Sequence, residues 1–446
     1  MPEILIYNAL VISSEVDGRG YVYVDGNGII EAVGQGDAPA GLKDRAGRTC
    51  DAGGDYLMPG AIDVHVHFRE PGLTRKATIA TESRAAVAGG VTSYFDMPNT
   101  VPQTVTREAV EAKAEIAARD SMANYAFFIG ATADNIDELT AADYSLIPGI
   151  KLFMGSSTGN MLLDDSNSLE RLFAEAPAII SVHAEDEATI ARQREAIISR
   201  YGKDAPVSLH TQLRPAEACV RATRRAVELA RRHGTRLHIA HMTTADEIAL
   251  LDTDTAPSQR LITSEVSPHH LLWTEDDYAL KGARIKMNPS VKTAADRDAL
   301  RKALADRRID IVATDHAPHL PADKQGSLFE AASGAPMVQF SLIAMLELFD
   351  PSLVAEAMAM RPAEIFGVKD RGRIARGCHA DLVLVERLDE PWTVEDSDVV
   401  SLCGWTPVAG RRFRHRVVST WVNGRRAYDR GAFDESCRGE RLRFSR

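Results

Sequence analysis

Between about Leu57 and Ile365 the chain alternates short apolar runs with stretches of helical period, and this alternation restricts the fold more than any other feature. Eight runs read as strands: AIDVHVHF, GVTSYFDM, NYAFFIGA, GIKLFMG, AIISVHAE, RLHIAHMT, RLITSEVS and IDIVATDHA. Amphipathic segments lie between them, such as TREAVEAKAEIAARD and RPAEACVRATRRAVELARRHG, and Gly234 closing the second suits a helix end. Strands separated by helices run parallel, because the helix returns the chain to the same end of the sheet. Eight such units predict an α/β fold of the (β/α)8 TIM-like barrel type over residues 57–365.

The two ends of the chain differ from this middle and resemble each other. ILIYNALVIS and YVYVDGNGIIEAVG near the start, and ADLVLVE and VVSTWVNGRRAYDRG near the end, read as β runs with turn signals such as DGNG. Residues 1–56 and 366–446 are therefore expected to meet as one small β-sandwich domain that the barrel interrupts. A chain of 446 residues with 45% hydrophobic side chains has enough material for both.

Several function classes are disfavoured. No apolar run reaches the roughly 18 residues that span a bilayer, and MPEILIYNAL lacks the basic start and cleavage site of a secretory signal. Cys50, Cys219, Cys378, Cys403 and Cys437 are scattered and odd in number, which argues against disulfides and thiolate metal sites and for a reducing, cytoplasmic setting. A net charge of −11 disfavours nucleic acid. RRFRHR, from Arg411 to Arg416, is short and isolated, and reads as an exposed strand or loop edge.

In a barrel of this type the chemistry sits where strands end at their carboxyl side. His65 and His67 lie two apart on the first strand, so both imidazoles face one side, and two inward histidines make half of a nitrogen-rich metal site. Lys151 ends the fourth strand, where alone it reads as a salt-bridge partner near the barrel mouth and beside the histidines as a ligand. Burial would favour its neutral amine, which can take up carbon dioxide and become a two-oxygen ligand bridging two cations. His183 ends the fifth strand. On the sixth, His238 and His241 differ by three and should face opposite ways; His241, nearer the end, is the expected ligand and His238 should pack towards the helical shell. Asp315 ends the eighth strand, placed to bind metal and act as general base; His316 should face away, and His319 follows in the loop.

These segments, with REPG, MPNTVP, KLFMGSSTGNM, EVSPHHLLWTE, MNPSVKT and RGRIARGCHADLVLVE, resemble the amidohydrolase superfamily and, within it, the dihydroorotases. The resemblance covers nearly the whole chain. It implies two Zn2+ ions on His65, His67, Lys151, His183, His241 and Asp315, with Lys151 N6-carboxylated as the bridge. It also implies reversible hydrolysis of L-dihydroorotate to N-carbamoyl-L-aspartate in pyrimidine biosynthesis, Asp315 moving the proton, and a homodimer. Arg69 would hold the substrate carboxylate with Asn99 and His319, and Asn288 would approach the ring. Arg69 lies two residues past His67, where an anionic substrate wants a guanidinium; its alternatives are an ion pair with Glu70 or Asp96, and for Asn99 a turn cap.

Some features depart from that pattern. Many bacterial dihydroorotases carry aspartate where Lys151 stands, and the lysine with GSSTGNM leans towards hydantoinases, yet Ser156 and Ser157 replace the tyrosine those enzymes carry. SGAPMVQFSL has Met337 where a glycine commonly follows the proline, and the Gly/Ala/Ser-rich stretch 320–337 reads as a lid. Hydantoinases, dihydropyrimidinases and allantoinases are thus the competing enzymes, acting on other cyclic amides. A non-catalytic scaffold of the same fold would show gaps in the metal set, and none is found.

Overall fold

A computed structural model describes residues 2–13, 15–155, 161–251 and 255–445. The chain opens with β1 (Ile4–Ile12), β2 (Asp17–Val24) and β3 (Ile30–Gln35), paired antiparallel in that order. The β2–β3 turn is the DGNG signal: the Asp25 carboxylate accepts from the backbone N–H of Asn27 at 2.9 Å and of Ile29 at 2.8 Å, an Asx turn. Then follow β4 (Arg48–Asp51) and β5 (Tyr56–Pro59), which pair in parallel with the two halves of β1.

The eight apolar runs all form strands: β6 (Ala61–Val66), β7 (Val91–Asp96), β8 (Asn124–Phe127) continuing past Phe128 as β9 (Ile129–Gly130), β10 (Ile150–Met154), β11 (Ile180–Ala184), β12 (Leu237–Ile239), β13 (Ile262–Val266) and β14 (Ile311–Val312). All pairs are parallel, in a three-stranded sheet β6-β7-β8 and a six-stranded sheet β9 to β14 in chain order. Two seams join the sheets. One is Phe128, where β8 runs into β9. At the other, Val66 bridges His316 in parallel, and Asp63 accepts from Thr314 N–H at 3.0 Å and from its hydroxyl at 2.5 Å. This gives the ring order of a (β/α)8 barrel.

Helices cover the ring because one face of each is apolar. In Ala216–His233, the residues Ala222, Ala226, Val227 and Ala230 are buried against the strands, and Gly234 ends the helix in the left-handed region at φ 71°, as its lack of Cβ permits. Thr78 and Thr106 cap Ile79–Ala88 and Arg107–Asp120 by accepting from backbone N–H groups.

After the barrel come β15 (Leu382–Thr393), β16 (Arg412–Val422), β17 (Arg425–Asp429) and β18 (Ala432–Phe433). They join the N-terminal strands in one nine-stranded sheet, ordered β18-β17-β16-β15-β5-β1-β2-β3 with β4 beside β1. The β-rich unit built from both ends is thus a single hydrogen-bonded sheet with apolar residues on both faces. Ile4 and Ile6 pack with Leu384 and Trp421, while Leu5 packs with Tyr23 and Ala38. Leu57 and Met58 pair with β15 in this sheet, so the barrel wall starts at Ala61. RRFRHR lies within the β15–β16 pairing: Phe413 is buried and Arg416 stacks over Trp392 at 4.6 Å. The last residues return beneath the barrel, where Leu442 N–H donates to Tyr125 O at 2.9 Å and Phe444 packs with Phe95, Phe128 and Phe366. All five cysteines are free. Among the described residues no helix is long and apolar enough to cross a membrane.

Candidate active site

Strand alternation brings the first two histidines inward as expected. His65 and His67 flank Val66, which packs in the shell, and their rings lie 5.4 Å apart. Asp315 Oδ1 stands 3.0 Å from His67 Nε2 and 3.4 Å from His65 Nε2. Ligand atoms of His65, His67 and Asp315 all lie within 4.8 Å of one another, a group able to hold a cation. Beside them His183 Nδ1 and His241 Nε2 are 2.9 Å apart, close to the roughly 3.3 Å between two imidazole nitrogens on one tetrahedral ion.

Lys151 is fully buried, and among the described residues its Nζ has no hydrogen-bond partner. Burial draws its pKa down to about 8. A buried amine with nothing to donate to is costly unless something else completes it. A carboxylated amine between the two histidine groups would do so, and the donor set fits a pair of divalent cations.

The sixth strand differs from its sequence reading. Leu237 and Ile239 face the shell, so His238 points inward, opposite to expectation. His241 also reaches the site because β12 ends at Ile239 and His241 leaves the extended conformation at φ 34°. Alternation does not carry past the strand end. The same break recurs at Arg69 (φ 68°) and Asp315 (φ 48°): three site residues sit two or three positions beyond a strand in a region that costs non-glycine residues about 1–3 kcal/mol.

Behind the histidines stand carboxylates that the sequence reading missed. Glu265, on β13, takes hydrogen bonds from His65 Nδ1, from His238 Nε2 at 3.1 Å and from His241 N–H at 3.2 Å. Glu185 meets His183 Nε2 at 3.0 Å and Arg214 at 2.5 Å. Burial alone would raise Glu185, but Arg214 and His183 outweigh it and hold its carboxyl at about 2. Such partners fix which ring nitrogen faces the cation. Their only sequence signal was acidic residues within apolar strand runs, RLITSEVS and AIISVHAE.

Burial brings His67 down to about 4, and burial with the neighbouring His183 holds His241 far below the imidazole range. Both imidazoles are neutral at ordinary pH. Burial would raise Asp315, yet His65, His67 and His241 hold it below the usual carboxylate range, so it is ionised.

Further out, a cavity of about 450 Å3 is lined by these groups together with Arg69, Asn99, Asn288 and His319. Arg69 donates through Nε to Pro318 O at 3.2 Å and through Nη2 to His319 Nε2 at 3.1 Å. Its alternative partners are engaged elsewhere. Glu70 accepts from Ile79 N–H at 2.9 Å, and Asp96 pairs with Lys113 at 2.6 Å. Among the described residues no carboxylate lies within 4.0 Å of Arg69. Asn99 Oδ1 meets His67 Nδ1 at 2.8 Å, orienting that ring. Asn288 Oδ1 is buried without a partner among the described residues. His316 faces away, as expected: its Nδ1 accepts from Met337 N–H at 3.0 Å, so Nε2 donates to Glu82 at 2.7 Å. The backbone supplies that contact, so Met337 keeps it without glycine.

REPG and MPNT are adjacent in space. Gly72 has φ 82°, and a Cβ there would sit 1.9 Å from Val101 O, so only glycine fits. Residues 320–337 form a tethered wall rather than a free lid. The buried Lys324 ammonium donates to Lys286 O at 3.1 Å, Ala332 O at 2.6 Å and Gly334 O at 2.7 Å, and Leu328 packs with Ile190 and Leu213. Ser156 and Ser157 lie outside the described residues.

Known proteins share this architecture. The model described as "Amidohydrolase family" matches residues 56–427. The chain is 39% identical to a dihydroorotase of Halobacterium salinarum over 369 residues, 81% of this chain and 84% of that protein. It is 35% identical to an allantoinase of Bacillus velezensis over 408 residues, 89% and 88% of the two chains. The solved structure of an L-hydantoinase (dihydropyrimidinase) from Arthrobacter aurescens superposes with a TM-score of 0.88 at 27% identity, covering 97% of each chain. Likeness of this extent, reaching through barrel and terminal sheet alike, makes the chain a member of the amidohydrolase family.

Proposed function

We propose that this protein is a dihydroorotase, opening and closing the ring amide between L-dihydroorotate and N-carbamoyl-L-aspartate. One observation carries the reading. Arg69 is a buried guanidinium facing the cavity with no carboxylate within 4.0 Å among the described residues, while both of its candidate partners are bound elsewhere. A desolvated cation of this kind calls for an anion from outside, and dihydroorotate brings an exocyclic carboxylate. The identity to the Halobacterium salinarum dihydroorotase supports the same reading.

In this scheme His65, His67 and Asp315 would hold one divalent cation and His183 and His241 a second, with carboxylated Lys151 between them. The cations, zinc in this reading, supply Lewis acidity and lower the pKa of water when bound. Arg69, His319 and the Asn99 amide fix the carboxylate and so the ring, and Asn288 Oδ1 accepts a ring N–H. Asp315, ionised by its imidazole neighbours, takes the proton of the attacking water and returns it to the ring nitrogen as the C–N bond breaks. Closure retraces these steps.

A second reading, an allantoinase or hydantoinase, is favoured by Lys151 and by the Bacillus velezensis relative. Turnover separates the two. The protein is expected to hydrolyse dihydroorotate in preference to allantoin and 5-substituted hydantoins. Arg69→Met should cost about 3–4 kcal/mol in kcat/KM for dihydroorotate, the loss typical of one partner in a buried charge pair. A preference for an uncharged amide, or an Arg69→Met enzyme as active as its parent, rules the proposal out.

A further inference from the structure

His319 is bracketed by two donors. Arg69 Nη2 stands 3.1 Å from its Nε2, and Lys76 Nζ stands 3.3 Å from its Nδ1. A neutral imidazole has one acceptor nitrogen, so it cannot accept from both. With the site empty of substrate, the guanidinium always donates, so Nε2 accepts, Nδ1 carries the proton, and the Lys76 contact is unsatisfied. Asp323 Oδ2, 3.9 Å from Nδ1, belongs to a carboxylate already engaged by Arg75 at 3.0 Å, and the acceptor the ring does meet is the Ser333 backbone carbonyl, which leaves the Lys76 contact without a partner all the same. Protonating the ring offers no escape: burial and the charges of Arg69, Lys76 and Lys324 hold His319 far below the imidazole range.

An anion resolves the conflict. Once a carboxylate takes the Arg69 guanidinium, Nε2 is free to donate to the same carboxylate, and Nδ1 must then accept. Lys76 is placed to donate to it. We propose that Lys76 is a positioning residue: its ammonium, on Nδ1 of His319, selects the tautomer whose Nε2–H binds the carboxylate of the substrate. The residue lies in GLTRKAT, three positions before the helix Ile79–Ala88; in the structure it is partly buried and lines the cavity beside Arg69. This assignment rests on the dihydroorotase reading and deepens it, since an uncharged substrate would need no such donor.

The test compares Lys76→Met and Lys76→Arg with the unsubstituted, metal-loaded enzyme on dihydroorotate and on dihydrouracil, its counterpart without the carboxylate. A lost charge-assisted hydrogen bond raises KM for dihydroorotate about tenfold to a hundredfold in Lys76→Met. The change in kcat stays within about threefold, the factor for dihydrouracil is several times smaller, and Lys76→Arg recovers most of the loss. Equal losses on both substrates, unchanged KM, or an arginine variant no better than methionine overturns the assignment. Should Lys76→Met fail to fold, histidine-labelled unsubstituted enzyme with bound orotate decides by nitrogen NMR: His319 protonated on Nε2 supports the proposal, and on Nδ1 refutes it. The parent enzyme separates the two claims. Preference for dihydrouracil removes the dihydroorotase reading and this inference together, whereas preference for dihydroorotate with no response at position 76 removes the inference alone.

Discussion

Glu265→Gln separates charge from shape at the centre of the site. The carboxylate is 1% exposed and accepts three hydrogen bonds, from His65, His238 and the backbone of His241. A glutamine oxygen at the Oε1 position keeps the contacts to His65 and His241. Its amide N–H2 then meets His238 Nε2, which becomes an acceptor by moving its proton to Nδ1, because the partner there, Thr263 Oγ1 at 2.9 Å, accepts as readily as it donates. The apo fold should therefore lose no more than about 1 kcal/mol. What disappears is the negative charge polarising His65, and outer partners of this kind are worth about 10–100-fold in metal affinity, or ~1.4–2.7 kcal/mol. Glu265→Ala differs in kind: it strands three buried donors at about 1–3 kcal/mol each, a large share of a typical 5–15 kcal/mol total. Chelator competition for zinc, with urea melts of the metal-stripped proteins, reads both terms. Glutamine binding zinc within twofold of the parent, or an apo glutamine variant as unstable as the alanine one, would refute the reasoning.

Two further expectations concern lysines. With Lys151 at about 8, the free amine that reacts with carbon dioxide rises from ~1% of molecules at pH 6 to about half at pH 8. Recovery of activity by chelator-stripped enzyme, at fixed dissolved carbon dioxide and zinc, should accelerate about fiftyfold over that interval, and a flat profile would exclude carboxylation of this residue. Burial also draws Lys286 to about 8 from the ordinary ~10.4, and its ammonium donates to Ala331 O. Between these values the unfolded chain holds the proton and the folded chain does not, so stability climbs with pH across that window. Removing a charge whose burial costs about 3 kcal/mol, less about 1 kcal/mol for the hydrogen bond, makes Lys286→Met about 2 kcal/mol more stable at pH 7. That gain vanishes by about pH 10.4, and urea melts giving equal differences at both pH values would contradict it.

The barrel was legible because its signal is periodic and local. Each strand is a run of apolar residues bounded by turn chemistry, and the two seams need no special residues beyond Asp63 and Thr314. His65, His67, Lys151 and His183 could be placed because side chains alternate along a strand, whereas Asp315, three positions past β14 at φ 48°, was reached through its place at the strand end and not through alternation. The same rule failed at His238 and His241, where the chain abandons extended geometry after Ile239; alternation says nothing once φ changes sign. Glu265 escaped because it lies two hundred residues from His65, which leaves no spacing to read, and Glu185, only two residues from His183, because its role depends on the turn past β11 and on Arg214 from another segment. The terminal sheet was foreseen as a unit but not as one sheet. Register between β5, β1 and β15 depends on pairings between opposite ends of the chain, and apolar patterning alone does not choose among them.

The layout also separates what the site does from what it acts on. His65, Lys151 and His183 sit on strands, held by ladder hydrogen bonds and by Glu265 and Glu185, and any shift there disturbs the whole ring. Asn99, Asn288 and His319 sit in loops beyond the strands, anchored by Gly72 packing on Val101 and by Trp405 N–H donating to His319 O at 2.7 Å. Loops change at little cost to the core, so the groups that face the cavity mouth can vary while the strand-borne histidines stay in place. Arg69 belongs to the second group by position and to neither by cost. At φ 68° it occupies a conformation in which glycine would be less strained, and it buries a charge with no carboxylate beside it among the described residues. Folding gains nothing from either feature. Under the proposed function an arginine in that place is explained by the carboxylate it would bind, which would make position 69, rather than the histidines, the residue on which the choice of substrate turns.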